Sequence, residues 1–176
     1  QVQERKGVDD FAKLAEANPE IQFIWAGGFS FGKITDGYEH YKNLVENPPK
    51  NLKFTGIVDR AKLVDYLNIA DLFLLPSFDE LFPMSVLEAF SCGTPVLLRD
   101  LDLYKAIIDG YYLKGTDFEE LNSQLRRIVS DKNILNKYQA LSEKASSQYS
   151  EEHLAQIWDR FYHKQYEIGK KLGQIH

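Results

Sequence analysis

Two carboxylates, Glu80 and Glu88, frame an apolar run in the segment Phe78-Asp79-Glu80-Leu81-Phe82-Pro83-Met84-Ser85-Val86-Leu87-Glu88-Ala89-Phe90-Ser91-Cys92-Gly93-Thr94-Pro95-Val96, with seven residues between them. An ionised carboxylate only accepts hydrogen bonds, so such a pair suits a ligand with a vicinal diol or a centre that develops positive charge. Glu80 follows a predicted strand over residues 71–76, and Glu88 falls in the helix expected next. Both carboxylates can therefore meet at the carboxyl end of a sheet, where open α/β sheets bind their ligands. The ordinary alternative is a pair of solvated helix-cap and helix-face charges.

Other residues with chemical potential carry less. Cys92 is the only cysteine, so no internal disulfide forms; it fits a reducing cytoplasm and reads as a small buried side chain. His40, His153, His163 and His176 show no metal-ligand spacing. The stretch Gly27-Gly28-Phe29-Ser30-Phe31-Gly32 lacks the glycine order of a dinucleotide loop and the acidic residue about twenty positions on, which argues against an oxidoreductase. Its glycine pair instead lets the backbone come close to a ligand or a neighbouring loop.

The elements that must position the carboxylates alternate. Residues 8–17 predict a helix ended by Asn18-Pro19, because proline breaks the ladder and disfavours helix in the residue before it. A strand over 21–26, a helix over 36–45, a strand over 52–56, a helix over 60–69 and the strand over 71–76 follow. This alternation predicts an α/β, Rossmann-like parallel sheet flanked by helices. After Val96-Leu97-Leu98 a short segment at 111–113 precedes helices over 117–129, 133–146 and 151–171, a helical carboxy-terminal segment. Ser150 is the expected N-cap of the last helix. Leu154, Ile157, Trp158, Phe161, Tyr162 and Tyr166 recur there at helical spacing and predict a core-facing stripe rather than a membrane anchor.

A chain of 176 residues, 44% hydrophobic and 27% charged, is long enough for one domain with a sizeable core. Its formal charge of −5 argues against coating nucleic acid, which needs clustered Lys and Arg. No apolar run of about eighteen residues exists to span a bilayer, and no secretory signal is visible.

The whole frame resembles the family-four retaining glycosyltransferases of GT-B fold. The resemblance rests on Glu80, Glu88-Ala89 and Cys92-Gly93-Thr94-Pro95-Val96, and upstream on Leu52 to Val58, Leu63, Tyr66, Ala70-Asp71 and Pro76-Ser77. It covers most of the chain. The segments Gln1 to Gly7, Glu80 to Met84 and Leu98 to Lys105 are similar, more narrowly, to Gram-positive enzymes that build glycosyl-diacylglycerol lipids. The resemblance implies a donor-binding domain over 1–150, a crossover helix over 151–176 that packs back on the amino-terminal domain, and that acceptor domain outside this sequence, so that part of the aromatic stripe is exposed without it. With Met84 the only methionine, the expectation is a fragment that binds donor without transferring sugar alone.

It also implies the site. Glu88 matches the residue that accepts both ribose hydroxyls of a nucleotide sugar, and Glu80 the one that faces the sugar as charge develops at the anomeric carbon. Lys6-Gly7 matches the family's lysine-glycine at the diphosphate. The usual arginine five residues earlier falls on Gln1, so Arg5 is the candidate second cation. Pro83 stands where a glycine amide is common, leaving Met84 and Ser85 as backbone donors, with Ser85 equally readable as a helix cap. Gly56, Ile57 and Val58 match a loop that receives the base.

Asp100-Leu101-Asp102 spells the Asp-x-Asp with which other sugar transferases hold a metal, but its place after the glutamate motif reads as a turn. No metal or other cofactor is expected. The implied function is transfer of glucose or galactose from a UDP-sugar to a glycolipid or diacylglycerol acceptor, peripherally on the inner face of the plasma membrane. A polysaccharide or small-molecule transferase, or a non-catalytic nucleotide-binding scaffold, are the alternatives.

Overall fold

The computed structural model describes residues 1–173. A 3-10 turn, Glu4–Lys6, leads through Gly7 into helix α1, Val8–Ala17. Gly7 has a φ of 73°, and a Cβ there would lie 2.2 Å from the Pro76 carbonyl oxygen, so only glycine lets this turn approach that loop. Strand β1, Phe23–Trp25, is followed by a 3-10 turn at Gly32–Ile34 and helix α2, Tyr38–Glu46. Then come β2, Leu52–Phe54, helix α3, Arg60–Ile69, and β3, Phe73–Leu75. Helix α4, Met84–Ser91, β4, Val96–Arg99, helix α5, Asp102–Ile107, and β5, Leu113–Gly115, complete the alternation. Helices α6, Phe118–Ser130, α7, Asn133–Gln148, and α8, Glu151–Lys171, end the chain.

Every strand pair is parallel, as the crossover pattern predicts, but the strands fall into two groups. β1 pairs with β2, and β4 lies between β3 and β5. Among the described residues no ladder joins β1 to β3; both line one cavity of about 1060 Å³.

Side chains alternate across a strand, so β4 divides the core in two. Leu97 joins Phe11, Leu14, Phe23, Trp25, Leu121 and Leu125 on one face. Val96 and Leu98 join Val86, Phe90, Tyr104 and Ile108 on the other. The rings of Phe23 and Trp25 meet Phe11 edge-on at 5.3 and 5.0 Å. Every residue of β4 is buried, whereas Phe73, Leu74 and Leu75 are half-buried because β3 borders the cavity.

Three sequence expectations change. The 111–113 segment becomes a strand at Leu113–Gly115, because Tyr112 turns inward against Tyr104 and bonds Asp100. Helix α5 was not anticipated; its six residues begin as Asp102 leaves the turn at 100–101. The stripe on α8 does not face the core: Trp158 is 54% and Tyr162 64% exposed, and Gly169 is the helix's one buried residue among those described. Among the described residues α8 packs chiefly against α7, and the aromatic face stays exposed. Ser150 does cap α8, accepting from the His153 amide at 3.2 Å.

Candidate functional site

The β3–α4 loop and the turn before α1 bring opposite charges together at the carboxyl ends of the strands. The Phe78 amide donates to the Arg5 carbonyl at 2.8 Å, which seats the two segments side by side. Lys6 Nζ then donates to both oxygens of Glu80, at 2.7 and 2.8 Å, with the Glu80 side chain only 6% exposed. Arg5 lies beside this pair on the surface, its Nε donating to Gln3 Oε1 at 3.2 Å.

Glu88 projects from α4 with its carboxylate partly open, and Arg60 at the start of α3 approaches to 2.9 Å. The sequence reading missed Arg60. Its only local signal was a cation at the first residue of a predicted helix, directly after the 56–59 loop.

Arg5, Lys6, Glu80, Met84, Ser85 and Glu88 all line the mouth of the large cavity, whose deeper walls are β1 and β3. Gly56, Ile57 and Val58 do not line it. Gly56 instead bridges to Gly27, and Ile57 is 73% exposed on the loop that leads to Arg60. A Cβ on Gly27 would lie 2.7 Å from the Gln1 nitrogen, so the glycine pair serves close approach to a neighbouring segment.

Two backbone expectations need correction. The Met84 amide donates to the Phe82 carbonyl at 3.0 Å, a local turn that uses the expected donor. Ser85 does not cap α4: the N-cap position is Pro83, and no side chain caps the helix. The Ser85 amide belongs to the first turn of α4, where an amide has no acceptor four residues back within the helix.

Tyr104, fully buried, sits behind the site with its hydroxyl unpartnered. Burial first, and then the charge of Glu80, push its phenol well above the ordinary tyrosine range. Asp100 is held by Tyr112 at 3.2 Å and faces Lys105 and Lys114 at 3.6 and 3.8 Å, so the Asp-x-Asp forms a paired turn rather than a matched set of ligands. Among the described residues no three His, Cys, Asp or Glu side chains cluster as a metal site. His40 pairs with Asp9 at 2.7 Å, His163 faces Asp159 at 3.6 Å, and His176 lies outside the described residues. Cys92 is half-buried against the second core. Among the described residues no helix is long and apolar enough to cross a membrane.

The mouth thus holds two carboxylates about one α-helical turn and a loop apart, with cations beside each. Such a set can accept from a diol at Glu88 while Lys6 and Arg5 compensate an anion near Glu80.

Comparisons with known proteins show the family and the fold. The family model "Glycosyl transferases group 1" matches residues 1–148. The alpha-galactosylglucosyldiacylglycerol synthase of Streptococcus pneumoniae is 54% identical over 171 residues, 97% of this chain and 46% of that protein. The processive diacylglycerol alpha-glucosyltransferase of Acholeplasma laidlawii is 32% identical over 131 residues, 73% of this chain and 38% of that protein. The chain therefore spans less than half the length of these curated relatives. In structure it is similar to sucrose-phosphate synthase of Thermosynechococcus elongatus, with a TM-score of 0.77 at 21% identity over 94% of this chain and 44% of that one. This likeness is in fold, that of the carboxy-terminal domain of GT-B glycosyltransferases.

Proposed function

The chain belongs to the group 1 glycosyltransferases, and from that premise we propose that it is the donor-binding half of a retaining hexosyltransferase. The full-length protein moves glucose or galactose from a UDP-sugar to a glycolipid or diacylglycerol acceptor, which an amino-terminal domain binds. The reading is carried by one observation: Lys6, Glu80 and Glu88 line one mouth at the carboxyl ends of the strands. The 54% identity to a galactosylglucosyldiacylglycerol synthase supports the choice of acceptor.

In this reading Glu88 accepts hydrogen bonds from both ribose hydroxyls, and Lys6 with Arg5 offsets the diphosphate charge. The Ser85 amide in the first turn of α4 adds a neutral donor. Glu80 faces the hexose. The acceptor hydroxyl attacks the anomeric carbon from the face the diphosphate leaves, the bond to the leaving oxygen breaks, and a phosphate oxygen takes the hydroxyl proton. Glu80 steadies positive character at the anomeric carbon, while the protein contributes position and electrostatics. No metal is required in this scheme. The exposed face of α8 is where the amino-terminal domain packs, and the assembled protein works peripherally on the inner membrane face.

Calorimetric titration with UDP, UDP-glucose, UDP-galactose and GDP, with Glu88→Ala as control, tests the reading in this chain and in the full-length protein. Selective UDP binding lost in the variant is the expected result. A folded full-length protein that binds none of them would leave a non-catalytic scaffold.

A further inference from the structure

Resting on that reading, we propose that Arg99 is a positioning residue for sugar transfer, a buried guanidinium that holds the loop carrying Glu80 against the turn carrying Lys6. Arg99 is the last residue of β4 and is 6% exposed, yet it touches no other charge of the site described above.

Its contacts reach three parts of the fold: the loop after β3, the end of β5 and the start of α1. Nε donates to the Pro76 carbonyl at 3.0 Å, immediately after β3. Nη1 donates to the Thr116 carbonyl at 2.8 Å, immediately after β5. Nη2 donates to Asp10 Oδ2, on the first turn of α1. The guanidinium carbon lies 4.0 Å from the centre of the Phe78 ring, so the loop is held by stacking as well.

The Pro76 carbonyl is the hinge of the arrangement. Arg99 reaches it from one side and Gly7 packs on it from the other, so close that a Cβ would collide. Four residues on is Glu80, and one residue before Gly7 is Lys6. A planar fork fixes three acceptors in one direction each, which an ammonium cannot do. Asp10 compensates the buried charge, so the guanidinium adds direction without leaving an unpaired ion. Glu88, on α4, lies outside these bonds. Loss of Arg99 should therefore misplace Glu80, on the loop, more than Lys6, which leads directly into α1, while leaving ribose recognition in place.

The test uses the full-length protein as wild type, Arg99→Lys and Asp10→Asn. Four quantities are measured: thermal midpoint, UDP affinity by calorimetry, steady-state transfer from UDP-glucose to vesicles of dioleoylglycerol and phosphatidylglycerol, and hydrogen exchange at the Phe78 amide. Folded Arg99→Lys should lose roughly tenfold or more in kcat, keep its UDP-glucose KM within about threefold, and exchange Phe78 roughly tenfold faster. Asp10→Asn keeps the guanidinium and should change the same quantities in the same direction, but less. Wild-type kcat or unchanged Phe78 exchange in folded Arg99→Lys overturns the proposal, as does a rate loss that only matches the loss of folded protein. If wild type neither binds UDP nor transfers, the functional reading fails, and Phe78 exchange still decides whether Arg99 holds the loop.

Discussion

Lys6 and Glu80, 74 residues apart in the chain, form a two-pronged ion pair with Nζ 2.7 and 2.8 Å from the carboxylate oxygens. Each was assigned a different part of the donor, the diphosphate and the sugar, yet they are direct partners. Breaking a largely buried pair by removing one member leaves the other charge uncompensated.

Lys6→Ala is therefore expected to weaken UDP binding by roughly 1.5–3 kcal/mol through loss of a charge-assisted hydrogen bond, and also to lower the thermal midpoint. Glu80→Gln keeps shape and some hydrogen bonding. It should lower kcat by roughly tenfold or more with UDP affinity changed by no more than about threefold. Calorimetry and steady-state kinetics on the full-length protein check both; equal losses in affinity and rate would remove Glu80 from the transition state.

Glu88→Ala should weaken UDP by roughly 1–3 kcal/mol if its hydrogen bonds reach the ribose. Arg60→Ala should move UDP affinity by less than about 1 kcal/mol, since the Arg60 side chain is 77% exposed and such pairs are worth little. A large effect at Arg60 would place it in direct contact with the nucleotide.

Tyr104→Phe removes a buried hydroxyl without a partner and should raise unfolding stability by about 1 kcal/mol, read from urea melts at neutral pH. The same residue contributes to alkaline behaviour, together with Tyr41 and Tyr149. Its folded pKa is raised above the ordinary 10.0, chiefly by burial, and Tyr112 is raised likewise. The unfolded chain loses these protons first, so stability is fully present below pH 10 and declines as pH rises beyond it. Melts from pH 8 upward should show that decline, made shallower by Tyr104→Phe.

The two tryptophans report opposite environments, Trp25 at 7% and Trp158 at 54% exposure. Acrylamide should quench one population readily and spare the other, and Trp158→Glu should abolish the accessible one while shifting stability by no more than about 0.5 kcal/mol. In the full-length protein Trp158 should become protected if the amino-terminal domain covers α8.

Much of the fold was legible because its signals are local. The bounds of α1 and α8 follow from apolar spacing, the Asn18-Pro19 stop and the Ser150 cap, each readable within a few residues. Strand ends were overestimated, as at 21–26 against Phe23–Trp25, because ladder partners rather than side-chain type decide where a strand stops. The exposure of the α8 stripe has a related reason. An amphipathic pattern says which face wants cover, and only the packed chain says whether anything within it provides that cover.

By itself the sequence determined the alternation of strands and helices from α1 to β4 and the three closing helices, the parallel pairing that crossover helices impose, and the chemical identity of the two carboxylates. Tertiary structure alone decided that Lys6 neutralises Glu80, that Arg60 faces Glu88, and that Arg99 ties β3, β5 and α1 to one carbonyl-rich junction. The division has a physical cause. Periodicity and capping act over a turn or two of chain, whereas these charges lie between 17 and 89 residues from their partners and meet only after the sheet has brought the strand ends together.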